Sequence, residues 1–93
     1  MAQTTPWFVY FLRCYDQSIY IGITTNVVDR LQEHQRGQGT TYTSRRLPVL
    51  LLGYEAFISK QQAAARERSL KGLTRAKKEA VAGSLRPPPE ASG

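Results

Sequence analysis

The run Trp7-Phe8-Val9-Tyr10-Phe11-Leu12 constrains this chain more than any other stretch. It is rich in aromatic and β-branched residues and apolar at odd and even positions alike. As a strand it therefore needs cover on both faces. It is far too short to span a membrane. A chain of 93 residues makes one domain with a thin core. The strand belongs at the centre of that domain, with the remaining elements as its cover.

Ser18 to Thr24 reads as a second strand, joined to the first through Tyr15-Asp16-Gln17-Ser18 as a hairpin. The loop length decides where the tyrosines point. A two-residue loop over Asp16-Gln17 sets Tyr10 opposite Ile23 and puts Tyr10 and Tyr20 on opposite faces. A three-residue loop over Asp16-Gln17-Ser18 sets Tyr10 opposite Thr24 and puts both rings on one face. Such a loop prefers glycine in its left-handed position and has none here, so Gln17 would take that conformation at a cost of about 1 kcal/mol. These residues leave both loop lengths open. Gly22, two residues from Tyr20 on the same face, is read as leaving room beside the Tyr20 ring.

Asn26 with Asp29 suits a helix N-terminus, and that helix runs to about Arg36 and stops at Gly37. Residues 37–46 read as a polar loop. Pro48 opens a third strand over Val49 to Phe57, with Gly53 inside it. Ser59-Lys60-Gln61-Gln62 is a capping-box pattern that starts a helix ending near Lys71. Thr74 caps a last helix, Arg75 to Ala82, with Arg75 and Glu79 one turn apart. The order ββαβαα predicts an α+β domain, a small three-stranded antiparallel sheet flanked by helices, over residues 1–83. Residues 84–93, with Pro87-Pro88-Pro89, read as a disordered proline-rich tail.

Three polar side chains fall on apolar helix stripes. Val27, Val28 and Leu31 mark the buried stripe of the first helix, and Arg30 and His34 fall beside or within it. Either both lie at its edge with their heads in water, or both meet partners in a cleft. In the later helix Glu67 stands between Ala63, Ala64 and Leu70. It either pairs with Lys71 one turn on, binds a metal, or carries a raised pKa. Two strand tyrosines, an arginine, a histidine and a glutamate converging on one cleft would suit metal-assisted phosphodiester cleavage, one possibility among several. In that arrangement Arg30 and a metal ion would lower a tyrosine's pKa from its usual value near 10 toward that of a useful base.

The charge balance agrees with an anionic partner: Lys and Arg number 13 against 7 Asp and Glu, a net charge of +6. Cys14 is the one cysteine, so no internal disulfide forms, and no Cys/His cluster has zinc spacing. Met1 to Pro6 lacks the basic residue of a signal peptide, and a reduced, cytoplasmic setting is expected.

Phe8-Val9-Tyr10 paired with Tyr20-Ile21-Gly22, followed by Thr24-Thr25-Asn26, Arg30, His34 and Glu67, resembles the two-part signature of the GIY-YIG nuclease superfamily. Trp7-Phe8-Val9-Tyr10, Tyr20 to Thr25 and Leu70-Lys71-Gly72-Leu73-Thr74 are similar to its small stand-alone branch, the YhbQ-like (UPF0213) proteins. The likeness spans residues 6–82. The first motif departs from the pattern in reading Phe-Val-Tyr where relatives have Gly-Ile-Tyr. The only asparagine, Asn26, does not match the one that larger relatives carry after the metal-binding helix.

The resemblance implies a divalent-metal endonuclease acting on DNA, or on RNA, with little sequence specificity and with DNA repair as its setting. The alternative it leaves is a nucleic-acid-binding module that keeps the fold and does not cut. Under the first reading Tyr10 and Tyr20 would share one face, which takes the odd-length loop beginning after Tyr15, and would position or deprotonate the attacking water. Arg30 would steady the scissile phosphate, His34 would assist proton transfer or orientation, and Glu67 would hold one Mg2+ or Mn2+ ion. Gly22 would keep the wall beside Tyr20 open for the nucleic acid. Arg36, Arg45, Arg46, Lys60, Arg66 and Lys71 would touch phosphates, giving salt-dependent affinity. No membrane association is expected.

Overall fold

The structure, a computed structural model, describes residues 5–85. In chain order the elements are β1 (Trp7–Arg13), β2 (Ile19–Thr24), α1 (Val27–Gln35), α2 (Thr41–Ser44), β3 (Leu50–Phe57), α3 (Lys60–Lys71) and α4 (Arg75–Ala82). The strands form one antiparallel sheet in the order β2-β1-β3, so the fold is the expected α+β arrangement with β1 at its centre.

The two faces of β1 account for its uninterrupted apolar sequence. Val9 and Phe11 pack with Ile19 and Ile21 against Ala63 and Leu70 of α3, and Val81 and Ala82 of α4 close that side. Tyr10 and Leu12 point the other way, onto Cys14 and Val49, with Val27 and Leu31 of α1 packed beside them. The molecule is three layers deep, with the sheet in the middle.

The hairpin has an odd-length loop, but the loop is Tyr15-Asp16-Gln17 and so begins one residue earlier than expected. The Cys14 N–H donates to the Ser18 carbonyl at 2.9 Å and the Gln17 N–H to the Cys14 carbonyl at 2.9 Å. Tyr10 consequently pairs with Gly22 rather than Thr24, and Leu12 with Tyr20. Tyr10 and Tyr20 still share a face. Gln17 takes the left-handed conformation, φ 73. Its cost is offset by the Asp16 carboxylate, which accepts from the Ser18 N–H at 3.1 Å and the Ser18 hydroxyl at 2.6 Å. Arg46 braces the turn from the far side of the chain, its Nε 3.0 Å from Asp16 Oδ2.

The helix starts follow local chemistry. Asn26, Ser59 and Thr74 each accept a backbone N–H three residues on, as N-caps do. In the second case the Gln62 side chain accepts from Ile58 N–H, one residue before the cap. Gly37 follows α1 at φ 78.

Four features differ from the sequence reading. Residues 37–46 are not all loop: Thr40 and Thr43 form a reciprocal capping box that starts α2. Val49 is buried in the core before β3 begins at Leu50. Leu52 is an extra residue in β3, because Phe11 faces Gly53 while Leu12 faces Leu51. Val28 is 49% exposed and does not belong to the buried stripe of α1, which runs through Val27, Leu31 and His34.

Glu79 of α4 reaches β1, accepting both Arg13 guanidinium N–H groups, one of them at 2.6 Å, while Arg75 stays at 4.0 Å. Packing continues through Leu85, which lies against the α3 side of the core. The proline-rich stretch falls outside the described residues. Among those described, no helix is long and apolar enough to cross a membrane.

Candidate active site

Tyr10 is the centre of a polar cluster inside an otherwise apolar layer. It is 2% exposed, and His34 of α1 is 0% exposed. The Tyr10 hydroxyl lies 2.9 Å from His34 Nε2 and 3.4 Å from Arg30 Nε, so Arg30 and His34 are not edge residues with their heads in water. Their spacing of four on α1 stacks them along one line above β1. Arg30 is also held by Glu33, Nη1 to Oε1 at 2.8 Å, and its side chain keeps 29% exposure. The guanidinium therefore touches the buried hydroxyl at one side and solvent at the other.

Gly22 has a different job from the one expected. The register puts it directly across from Tyr10. A Cβ there would stand 2.5 Å from Tyr10 Oη and 2.7 Å from Cζ, so the space over Gly22 is filled by the Tyr10 ring. It is not open room beside Tyr20. Tyr20 lies 6.3 Å from Tyr10 and 5.3 Å from His34 between ring centroids, and stacks on Tyr42 of α2 at 6.0 Å.

β2 is an edge strand, so α3 reaches the tyrosines around it from the other layer. Lys71 Nζ lies 5.8 Å above the Tyr20 ring and 3.2 Å from Glu67 Oε2. Glu67 thus makes the Lys71 pair that its spacing allowed, and its charge is also among the influences on Tyr10. Ile19, Tyr20, Ile21, Tyr42, Lys71 and Lys78 line a cavity of about 300 Å3 at this edge. A second cavity, about 230 Å3, lies at the N-terminal end of α1, among Phe8, Asn26, Val27, Val28 and Tyr54, and is separate from the cluster.

Burial governs the protonation states. His34 is pushed down to about 4, first by burial and then by the Arg30 cation, so it is neutral at pH 7. The Tyr10 phenol is pushed up to about 12 by burial, which outweighs the Arg30 hydrogen bond. Arg30 pulls the Tyr10 pKa down, as expected of it, by hydrogen bond and by charge, but less strongly than burial pushes it up. Counting cations had left out the desolvation of the phenolate.

Two residues missed from the sequence complete the cluster. Thr43, 0% exposed, has its Oγ1 2.7 Å from His34 Nδ1. Gly39 lies against the imidazole so closely that a Cβ would stand 2.6 Å from its Cγ. The Thr40–Thr43 spacing was a readable capping signal; the burial of Thr43 had none.

The basic residues spread over several surfaces. Arg66 is engaged bidentately by Glu55 of β3, at 2.9 and 3.1 Å, on the sheet edge opposite β2. Arg46 lies on the Tyr42 ring at 3.7 Å, and Lys60 is near Trp7. Arg36 bonds Gln38 at 3.4 Å, and Arg45 is exposed.

Among the described residues no group of three His, Cys, Asp or Glu side chains is arranged to hold a metal. A lone, partly exposed carboxylate such as Glu67 does not suit zinc. It suits a hard ion that keeps most of its waters and takes its remaining oxygens from a phosphate.

A GIY-YIG catalytic domain family model matches residues 6–80. A UPF0213 protein of Natronomonas pharaonis is 50% identical over 72 residues, covering 77% of this chain and 85% of that one. One from Cupriavidus pinatubonensis is 41% identical over 88 residues, covering 95% and 98%. The solution NMR structure of a UPF0213 protein from Bacillus halodurans superposes with a TM-score of 0.56 at 40% identity, covering 85% of this chain and 84% of that one. Sequence, fold and tyrosine pair agree, and the chain belongs to the GIY-YIG family, in its stand-alone UPF0213 branch.

Proposed function

We propose that this protein is a divalent-metal-dependent endonuclease that hydrolyses phosphodiester bonds in DNA with little sequence specificity, in the setting of DNA repair. The observation that carries this reading is the Tyr10 hydroxyl, buried between an imidazole nitrogen at 2.9 Å and a guanidinium nitrogen at 3.4 Å, with the Tyr20 ring alongside. The imidazole is a proton acceptor at neutral pH, and the partly exposed guanidinium can meet a phosphate and stabilise its added charge. Tyr10 and Tyr20 orient the attacking water and receive its proton, and Arg30 holds the scissile phosphate. Glu67 would hold one Mg2+ or Mn2+ ion, which supplies charge neutralisation at the phosphate oxygens. Arg36, Arg45, Arg46, Lys60, Arg66 and Lys71 contact phosphates, which carry no sequence information.

One observation favours the rival reading, a binding module that does not cut: the Glu67 carboxylate is already paired with Lys71 at 3.2 Å. Plasmid and branched DNA, with an RNA duplex in parallel, are incubated with Mg2+ and wild type, Glu67→Ala or Arg30→Ala. Cutting by wild type that both variants lose supports the nuclease. Binding by all three with no cutting by any establishes the module.

A further inference from the structure

A buried hydroxyl proton needs an acceptor, and Tyr10 has one to choose from. Its two polar neighbours are Arg30 Nε and His34 Nε2. A guanidinium only donates, so the phenol proton points to His34 Nε2, and that nitrogen is bare. The single proton of the neutral ring is then on Nδ1, 2.7 Å from Thr43 Oγ1. Thr43 must accept there and send its own proton onward, to the Thr40 carbonyl at 3.3 Å or Thr40 Oγ1 at 3.1 Å. The reverse direction, Thr43 to Nδ1 and Nε2–H to Tyr10, leaves the phenol proton with no acceptor among the protein groups around it. No buried side-chain polar atom among the described residues lacks a partner.

The chain of bonds also gives α2 a purpose. A four-residue helix with no apolar anchor except the Tyr42 ring carries Thr43 under His34, and the Thr40 capping box locks its orientation. Gly39 lets the loop before it close on the imidazole. Arg30 and Glu33 on α1, Tyr10 on β1 and Tyr20 on β2 are the charged or titratable groups that face the ring.

We propose that Thr43 is a positioning residue that fixes His34 as the Nδ1–H tautomer, keeping Nε2 free to take the Tyr10 proton during phosphodiester cleavage. The proposal rests on the nuclease reading above. In the step, a water O–H breaks as a bond forms to Tyr10 Oη, and the original Tyr10 O–H breaks as a bond forms to His34 Nε2. The hydroxide produced forms the new P–O bond while the P–O bond to the leaving oxygen breaks. The proton on His34 returns by way of Tyr10 to the departing alkoxide or to solvent, which restores the start.

His34 is the only histidine in the chain, so its ring signals are unambiguous. Long-range 1H–15N spectra of the full-length labelled protein at pH 7 are expected to show a protonated Nδ1 and a bare Nε2. Thr43→Val loses that tautomer and slows cutting by about 10- to 100-fold with DNA affinity unchanged. Thr43→Ser restores both. A protonated Nε2 in wild type overturns the proposal, as does Thr43→Val with wild-type tautomer and rate. Tyr10→Phe covers the case in which Thr43→Val fails to fold. Nδ1–H retained there shows that Thr43 sets the tautomer, and its loss assigns that role to Tyr10 and overturns the proposal. Wild type with Nδ1–H that cuts no DNA overturns the nuclease reading while supporting the bond assignment.

Discussion

Acidification tests the buried imidazole directly. His34 is fully buried against Tyr10, Thr43 and Gly39, and its pKa falls from the ordinary 6.5 to about 4. Burial is the main cause and the Arg30 cation the next, with Glu33 pulling the other way. The unfolded chain binds a proton as pH falls through 6.5; the folded protein binds it only near 4. Between those values the unfolded state holds more protons, so stability drops as pH falls. The contribution is complete above pH 6.5 and exhausted below 4. The full displacement corresponds to roughly 3 kcal/mol, of which about 2.5 kcal/mol is lost between pH 7 and pH 4.5. A domain of this size has a total stability of roughly 4–12 kcal/mol, so the loss is easily measured.

Urea denaturation of wild type and His34→Gln at steps from pH 7 to 4.5 reads the effect. His34→Gln is less stable at every pH, because Tyr10 and Thr43 lose their partner, but its side chain does not titrate. Glu79 and Asp16 are held below the usual carboxylate range by Arg13 and by Ser18 respectively. Their contributions are lost only as pH falls through those lowered values, below most of the window, and equally in both proteins. Wild type should therefore lose about 2.5 kcal/mol more than the variant across the window. Parallel curves would refute a buried, neutral His34.

Gly22→Ala puts a methyl group 2.5 Å from the Tyr10 hydroxyl across a fixed strand pair, so Tyr10 must leave its partners or the strands must separate. A loss of about 1–3 kcal/mol is expected, read as a drop in Tm on the order of 10 °C. Chelation should abolish DNA cutting and either Mg2+ or Mn2+ should restore it; cutting that persists in chelator contradicts a metal held at Glu67. DNA affinity should fall linearly on a log–log plot against salt, and Arg45→Ala should lower the slope by about one. A salt-independent affinity would remove the phosphate-contact reading.

Local chemistry made much of the fold legible. The two-faced apolar run of β1 predicted a central strand with cover on both sides, and Asn26, Ser59 and Thr74 announced their helices by side-chain caps. Loop parity was legible only through the family resemblance, which needs Tyr10 and Tyr20 on one face, since the turn residues lack the glycine an odd-length loop prefers. The register itself was not, because the turn is positioned partly by Arg46, thirty residues along the chain from Asp16. Nor was α2, whose buried Thr43 is held by a hydrogen bond that leaves no mark in hydropathy.

The glycines show why the site was harder to read than the fold. Gly22, and Gly39 in a stretch taken as loop, offer no side chain, and a sequence gives no sign of what occupies the space they leave. One is filled by the Tyr10 ring and the other by His34. These close approaches press a phenol and an imidazole out of water and onto each other. That desolvation raises one pKa and lowers the other. Both groups are thereby kept neutral at pH 7, with the proton on Tyr10 and the vacant lone pair on His34. A lowered tyrosine pKa was expected from Arg30 acting together with a metal ion; Arg30 by itself does not outweigh burial. In the proposed cleavage, proton removal from Tyr10 would therefore use the neighbouring imidazole as acceptor rather than a phenolate already present at rest.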